Sequence, residues 1–169
     1  SKTLEYKAID VQTPLGIKRT TEIETDLVLC PILRAGLPLH NGFLNYFDHA
    51  ENSFVSACRH HPNGDDEFEI LVEYQAISNL NNKTVLLLDP MLATGLSMVL
   101  CAKELINVHK IEKLHIVASI ASSEGVKHVR ANLPKANLWL GAVDDEMTSK
   151  SYIVPGLGDA GDLAYGAKL

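Results

Sequence analysis

The second half of the sequence alternates short apolar segments with amphipathic ones, and this alternation restricts the fold more than any other feature. The apolar segments are TVLLLD, KLHIVASI and ANLWLGAV. The segments between them, LSMVLCAKELI and EGVKHVRANL, have apolar residues at helical spacing. Strands that alternate with helices in this way form parallel pairs joined by right-handed crossovers. We therefore predict an α/β fold with a mostly parallel central sheet flanked by helices.

The first half adds strands to this sheet. Residues 26–33, DLVLCPIL, form a short apolar run that is typical of a strand buried on both faces. A helical pattern follows from about Pro38 to Phe47. The segments SFVSACRH and FEILVEYQ flank the turn-forming HPNGDD, which predicts a protruding β-hairpin with a mobile tip. The opening segment predicts two short strands around a turn at Pro14-Leu15-Gly16.

Length, charge and cysteine content limit the class of protein. The 169 residues fit a single domain over 1–169. No apolar run approaches the ~20 residues that cross a bilayer, and a net charge of −6 argues against a nucleic-acid partner. The three cysteines lack C-x-x-C spacing, and Cys30 and Cys101 lie in apolar stretches that predict core positions. We expect a cytoplasmic protein with no membrane or nucleic-acid partner.

The strand VLLL runs directly into Asp89 and Pro90, and small residues follow at 93–95. Ligands of open parallel sheets bind at this kind of strand-to-helix loop, where the N–H groups of a helix's first turn are free to hold a phosphate. The hydroxyls of Thr94 and Ser97 supplement those donors, and the Asp89 carboxylate suits the hydroxyls of a sugar. The pattern favours a ribose 5-phosphate. A plain strand-to-helix turn with a capping side chain is the alternative.

Three segments carry a more specific resemblance. DPMLATGLS (89–97) resembles the phosphoribosyl diphosphate loop of the type I phosphoribosyltransferases, in the uracil phosphoribosyltransferase version with one Asp before Pro. PILRAGL (31–37) is similar to the loop that holds the donor's pyrophosphate, and YIVPGLGDAGD (152–162) resembles the uracil-binding segment. The similarity extends from about Asp26 to Lys168. It implies transfer of the phosphoribosyl group of 5-phosphoribosyl 1-diphosphate to uracil, which gives UMP and diphosphate in pyrimidine salvage.

The resemblance also implies the site residues. Arg34 and Arg59 would act on the diphosphate, Asp89 on the ribose hydroxyls, and Asp159 on both the base and the sugar diphosphate. The donor-binding residues would be Ala35, Gly36, Asp89, Pro90, Met91, Leu92, Ala93, Thr94, Gly95, Leu96 and Ser97. Uracil would be bound by Tyr152, Ile153, Gly158, Asp159 and Ala160. Mg²⁺ would arrive with the donor diphosphate rather than at a dedicated metal site, and the protein would be a homodimer or a larger homo-oligomer.

Two of the implied binding segments also have a direct physical basis. The planar fork of Arg34, beside the small Ala35 and Gly36, suits a diphosphate. Four glycines and a proline occur between Tyr152 and Gly166, so we predict a loop without helix or regular strand that presents backbone groups to the edge of the base. Asp144, at a strand end, is expected to orient this loop.

Three features depart from the family. Leu96 stands where a glycine is usual, which requires a negative φ, and we expect its side chain to point to the core. Arg59-His60-His61 replaces Arg-Asp-Glu, and adjacent strand histidines point in opposite directions, so we predict no metal site there. The N-terminal helical segment that family members usually carry is not evident in this sequence. A catalytically silent nucleotide-binding relative, or a pyrimidine-responsive regulator that binds RNA, is the alternative function.

Overall fold

The computed structural model of the chain describes the backbone of residues 4–60 and 69–167, together with their side chains except those of 58–60 and 69–73. The predicted hairpin tip falls largely outside these residues. The strands and helices follow one another as β1 (Tyr6–Thr13), β2 (Gly16–Ile23), β3 (Leu27–Leu33), α1 (Gly36–Leu44), β4 (Glu51–Asn52), β5 (Phe54–His60), β6 (Glu69–Ala76), β7 (Thr84–Leu88), β8 (Met91–Leu92), α2 (Leu96–Val108), β9 (Lys113–Ser122), α3 (Ser123–Asn132), β10 (Asn137–Asp144), β11 (Glu146–Met147), β12 (Ile153–Val154) and α4 (Ala160–Tyr165).

The central sheet confirms the predicted α/β architecture. Its strands lie in the order β10-β9-β7-β3-β5-β6, with β4 paired to β3 and β8 paired to β9. All of these pairs are parallel except β5 with β6, which form the predicted antiparallel hairpin. The opening strands β1 and β2 form a separate antiparallel hairpin. Because β3 and β7 are neighbours, the loops after them, at residue 34 and at residue 89, emerge at the same edge of the sheet.

Alternate residues of the buried strands pack on opposite faces of the sheet. Cys30 and Leu87 belong to the core beneath α2 and α3, whereas Leu29 and Leu86 pack with Phe43 of α1. Cys30 and Cys101 are free, buried thiols, as predicted, and burial raises the pKa of each to about 12. Both therefore serve as small core residues rather than as nucleophiles.

The face of α2 that packs on the sheet differs from the apolar face predicted from the sequence. Leu96, Val99, Leu100, the Lys103 stem and Ile106 share one predicted apolar face. The structure instead buries Met98, Val99, Cys101, Ala102 and Leu105, and it leaves Leu96 and Ile106 exposed. The small residues Cys101 and Ala102 are the reason, because they let the helix pack closely on the sheet.

The C-terminal segment contains a short helix, so the prediction that its glycines preclude one is wrong. Two of its three glycines with positive φ, Gly156 and Gly158, occupy the loop that precedes α4. The helix itself begins where the Asp159 side chain accepts a hydrogen bond from the Asp162 N–H at 2.9 Å. It ends at Tyr165, and the next residue, Gly166, has a φ of 79° that a side chain would disfavour. An N-cap and a terminal glycine thus suffice for a helix of six residues.

Helix α1 begins at Gly36 and ends at Leu44, two residues before its predicted start and three before its predicted end. A Cβ at Gly36 would lie 2.7 Å from the Leu88 carbonyl oxygen, so the glycine lets α1 start directly against the end of β7. This contact fixes the loop after β3 beside the loop after β7. Within the described part of the chain, no helix is long and apolar enough to span a membrane.

Candidate active site

A cavity of about 430 Å³ lies beyond the carboxyl ends of the parallel strands, where the α/β architecture predicts a ligand. A second cavity of about 210 Å³ adjoins it and shares part of its wall, including Ala35, Asp89 and Asp159. The predicted site residues that line the larger cavity are Ala35, Asp89, Met91, Leu92, Ala93, Thr94, Gly95, Ser97, Tyr152, Asp159 and Ala160. Residues from three distant segments of the sequence therefore meet at one place.

The loop between β7 and α2, residues 89–97, forms one wall and is called the phosphate loop here. Gly95 precedes α2 with a φ of 78°, and a Cβ there would lie 3.0 Å from the Gly125 carbonyl oxygen. Both its backbone conformation and its packing therefore require glycine. Helix α2 begins at Leu96, and Ser97 and Met98 of its first turn line the cavity. A helix N-terminus with this exposure favours an anionic ligand.

Leu96 meets one of its two predicted conditions. It lies in the first turn of α2 and is not among the residues with positive φ, so the backbone tolerates a side chain there. The expectation that this side chain points to the core is wrong, because it is 39% exposed and does not line the cavity. The phosphate loop keeps its backbone conformation without a second glycine, because the Leu96 side chain points to solvent.

The start of α3 packs against the phosphate loop, and this contact was not predicted from the sequence. The buried Ser122 hydroxyl donates to the Ala93 carbonyl oxygen at 2.6 Å and accepts from the Gly125 N–H at 2.8 Å. A Cβ at Gly125 would lie only 2.2 Å from the same Ala93 oxygen. Ser-Ser-Glu-Gly after an apolar strand is a helix-start signal, but only the pairing of β9 with β7 shows that this helix start supports the loop.

Asp89 lies in the wall between the two cavities, and its surroundings favour the protonated form. Burial raises the pKa of its carboxyl to about 7, and the negative charge of Asp159 contributes to the rise. A hydrogen bond from the Met91 N–H to Asp89 Oδ1, at 3.2 Å, acts in the opposite direction. The side chain is therefore poised near neutral pH between a form that accepts hydrogen bonds only and one that can also donate.

Arg34 lines the smaller cavity, and the C-terminal segment holds its side chain. Its Nη2 donates to Asp162 Oδ1 at 3.1 Å and to the Gly166 carbonyl oxygen at 3.3 Å. The guanidinium carbon also lies 5.9 Å from the centre of the Tyr165 ring. Asp162 and Tyr165 were not predicted as site residues, and a sequence pattern does not show that α4 lies against the loop after β3.

The loop that precedes α4 is anchored as predicted by Asp144. Its Oδ2 accepts a hydrogen bond from the Gly156 N–H at 3.1 Å. A Cβ at Gly156 would lie 2.1 Å from the Ile153 carbonyl oxygen, so the tight turn after β12 needs a glycine. Tyr152 lines the cavity, and so do Lys150 and Ser151, which were not predicted.

Several predicted residues do not line either cavity among the residues that the structure describes. Ile153 is buried in the short β11–β12 pair, and the Pro90 carbonyl accepts from the N–H groups of Ser119 and Ile120. The others are Gly36, Leu96 and Gly158.

The predicted residues of the hairpin, Arg59, His60 and His61, lie partly or wholly outside the described part of the chain. Arg59 pairs with Ile70 across β5 and β6, but its side chain is outside what the structure describes. The same holds for the His60 side chain, and His61 lies outside the described residues altogether. Their roles stay predictions. Among the side chains that are described, no group of three His, Cys, Asp or Glu residues could hold a metal ion.

Comparison with known proteins identifies relatives over the whole chain. The family model described as uracil phosphoribosyltransferase matches residues 1–167. A uracil phosphoribosyltransferase of Porphyromonas gingivalis is 46% identical over 170 residues, which cover 100% of this chain and 78% of that protein. A protein of the same name from Thermococcus gammatolerans is 36% identical over 172 residues, covering 100% of this chain and 75% of the relative.

Solved structures agree with this result. The AQ2163 protein from Aquifex aeolicus superposes with a TM-score of 0.86 at 32% identity, over 99% of this chain and 79% of that one. A purine phosphoribosyltransferase from Pyrococcus horikoshii superposes with a TM-score of 0.56 at 10% identity, over 72% of each chain. This second likeness concerns the fold alone.

Proposed function

Because the chain belongs to the uracil phosphoribosyltransferase family, we propose that it transfers the phosphoribosyl group of 5-phosphoribosyl 1-diphosphate to uracil. The products are UMP and diphosphate, as in pyrimidine salvage. The observation that carries this proposal is the meeting of the phosphate loop, Arg34 and the C-terminal segment around two adjoining cavities. Each of these segments suits a different part of the two substrates.

The reaction requires electrostatic stabilisation and alignment more than a covalent nucleophile. The bond from the anomeric carbon to the diphosphate breaks, a bond from that carbon to the uracil N1 forms, and N1 loses its proton. Positive charge develops on the ribose while negative charge moves to the leaving diphosphate. Donors at the leaving oxygens, a fixed sugar and a base held in line therefore supply the catalysis.

The donor would lie across both cavities. Its 5-phosphate fits the phosphate loop, where the start of α2 and the hydroxyls of Thr94 and Ser97 supply hydrogen-bond donors. Its diphosphate fits the smaller cavity beside Arg34, with Arg59 as a further predicted donor. The Asp89 carboxylate, between the two, would accept hydrogen bonds from the ribose hydroxyls.

The base would lie against the C-terminal segment. Tyr152, Asp159 and Ala160 line the larger cavity next to Asp89, which brings a base bound there close to the ribose. Backbone N–H and C=O groups can match the alternating donors and acceptors of the uracil edge, and we propose that Ile153 and Gly158 contribute in this way. Asp159 faces both cavities, which agrees with a role toward the base and the sugar diphosphate.

The cavity also fits Mg²⁺ that enters with the donor. Asp89 and Asp159 offer carboxylate oxygens, the ligands that this ion prefers, and a diphosphate supplies more. When bound, the ion would neutralise charge on the leaving diphosphate. Arg34 and Asp159, which both line the smaller cavity, would hold the metal–diphosphate unit.

A catalytically silent relative is the second candidate, and no observation favours it. Leu96 does not obstruct the phosphate loop, because its side chain points to solvent. Arg34, Asp89 and Asp159 are all present at the cavities. A regulator that binds RNA would need a basic surface, whereas the net charge is −6.

Diphosphate release by the purified protein tests the proposal. The protein is incubated with 5-phosphoribosyl 1-diphosphate, Mg²⁺ and, separately, uracil, cytosine, hypoxanthine or orotate. We expect turnover with uracil and little with the other bases. Absence of turnover with uracil would contradict the proposed reaction, and preference for another base would contradict the assignment of the C-terminal segment.

We further propose that the protein acts in the cytoplasm as a homodimer or a larger homo-oligomer. Its buried free thiols are consistent with a reducing compartment. Sedimentation equilibrium of the purified protein measures the oligomeric state directly, and a monomer at all concentrations would contradict it.

A further inference from the structure

The guanidinium of Arg34 makes its hydrogen bonds to the described residues through a single nitrogen atom. In the described part of the chain, both of its hydrogen bonds go through Nη2, to Asp162 Oδ1 at 3.1 Å and to the Gly166 carbonyl oxygen at 3.3 Å. The Tyr165 ring lies near the same guanidinium. Nε and Nη1 are thus left for a ligand in the smaller cavity, which Arg34 lines together with Asp89 and Asp159.

Asp162 connects this arginine to the base-binding segment. Its backbone N–H donates to Asp159 Oδ1 at 2.9 Å, while its carboxylate accepts from Arg34. Asp159 itself lines both cavities. The Asp159 side chain caps α4, whereas the Asp162 side chain binds Arg34. A substitution at Asp162 can therefore remove the contact with Arg34 and keep the cap.

We propose that Asp162 is a positioning residue for the donor diphosphate. It fixes the guanidinium of Arg34 so that the remaining donors are arranged before the diphosphate arrives, and it fastens the base-binding segment to the donor side of the site. This inference rests on the proposed function, since it takes the ligand of the smaller cavity to be the diphosphate of the phosphoribosyl donor.

Two opposing effects decide the sign of the Asp162 contribution. A nearby carboxylate weakens the attraction between Arg34 and an anion, whereas a fixed guanidinium loses less side-chain entropy when it binds. Arg34 is 34% exposed and Asp162 is 46% exposed, so water screens the charge effect. The orienting effect therefore dominates, and Asp162 tightens diphosphate binding.

The test measures the affinity for inorganic diphosphate in the presence of Mg²⁺ by titration calorimetry. Asp162→Ala should weaken binding about fivefold, in the range of partly exposed ion pairs. Asp162→Asn, which keeps an oxygen for Nη2, should give an intermediate loss. Asp10→Asn changes the net charge equally on the exposed β1 strand, and it should leave the affinity unchanged.

A double-mutant cycle separates positioning from a general structural role. If Asp162 acts through Arg34, then Asp162→Ala should have no further effect on diphosphate affinity in an Arg34→Ala background. In steady-state assays of the wild-type background, Asp162→Ala should raise the KM for the donor more than the KM for uracil. Thermal unfolding checks that each variant is folded, and Asp162→Asn carries the test if the alanine variant is not.

Three results would overturn the inference. These are unchanged or tighter diphosphate binding in the Asp162 variants, an equal loss in the Arg34→Ala background, and no diphosphate binding by the wild-type protein. A wild-type protein that binds diphosphate but does not turn over uracil would instead refute the proposed base. The calorimetric cycle still tests the role of Asp162 in that case.

Discussion

The phosphate loop and the C-terminal segment face each other across the same cavity, but they are held in different ways. The phosphate loop rests on buried groups, since Ser122 is 0% exposed and Gly125 brings α3 against the Ala93 carbonyl. The C-terminal segment is held by more exposed polar contacts, in which the Gly156 N–H donates to Asp144 and Arg34 donates to Asp162. Buried packing is rigid, whereas exposed polar contacts contribute little individually. The phosphate loop is therefore the more rigid side of the cavity, and the C-terminal segment is the more easily adjusted one.

Gly125→Ala should have the largest effect, because it disturbs the buried contact between α3 and the phosphate loop. The added Cβ would lie 2.2 Å from the Ala93 carbonyl oxygen, so the phosphate loop or α3 must move. Because displacement of a substrate-positioning group by about 1 Å can cost about a hundredfold in rate, we expect kcat/KM for the donor to fall by about that factor. Steady-state kinetics measure the loss.

Gly42→Ala is the matched control for this substitution. It adds the same methyl group to a helical glycine, but in α1, where no atom of the described residues beyond the adjacent helix backbone lies within 4 Å of the new Cβ. Activity should not change, and thermal stability should stay equal or rise slightly, since alanine favours a helix over glycine. Equal activity in the two variants would mean that α3 does not position the phosphate loop.

Asp89→Asn should produce the next largest effect. Asparagine cannot accept charge-assisted hydrogen bonds from the ribose hydroxyls, and bonds of that kind correspond to about thirtyfold in rate or binding. In the wild type, kcat/KM for the donor should rise with pH through about 7, as the Asp89 carboxyl ionises. A pH–rate profile measures this limb, and the variant should lack it.

The free energy of unfolding should fall with rising pH, whereas kcat/KM for the donor should rise. The pKa of Asp89 is about 7 in the folded protein and near 3.8 in an unfolded chain, so the folded state binds more protons between those values. The stability of the wild type therefore falls as pH rises through this window, and the cost is complete above it. Asp89→Asn should raise Tm relative to wild type more at pH 8 than at pH 5. An equal Tm difference at both pH values would show that Asp89 is ionised throughout.

The phosphate loop is predictable from the sequence to a greater extent than the C-terminal segment is. The buried strands β3 and β7 and the loop after each follow from local patterns, because apolar runs that end in polar or small residues mark strand ends at a sheet edge. Asp89, Thr94, Gly95 and Ser97 were found in this way. The raised pKa of Asp89 was not, since it depends on burial and on Asp159, 70 residues along the chain.

The residues that sequence reasoning missed support the site from a neighbouring element. Ser122 and Gly125 look like an ordinary helix start, and Asp162 looks like an exposed acid in a short helix. Their roles depend on which elements are neighbours in space, at β9 and at α4. The α4 helix was also missed, because the glycines around it hide a capped helix of six residues.

Asp144→Ala tests the C-terminal side with a smaller expected effect. Loss of the acceptor for the Gly156 N–H loosens the turn before α4, and a hydrogen bond of this type corresponds to about fivefold in affinity. The KM for uracil should rise by that factor, and the KM for the donor should change less. Asp145→Ala is the control, because its carboxylate accepts from the Ser123 hydroxyl instead. A larger effect on the donor KM would mean that Asp144 supports the phosphate loop.

Leu96→Gly should have the smallest effect, and it tests whether the phosphate loop needs a second glycine. The side chain is 39% exposed and does not line the cavity, so its removal changes no contact with the donor. Glycine at the start of α2 costs up to about 1 kcal/mol of stability from backbone entropy, and kcat/KM for the donor should stay within about twofold. Because Gly95 already supplies the positive φ, a second glycine adds freedom that the ordered loop does not use. A marked gain in activity would show instead that Leu96 restricts the phosphate loop, and that the rigidity of this loop lowers the rate.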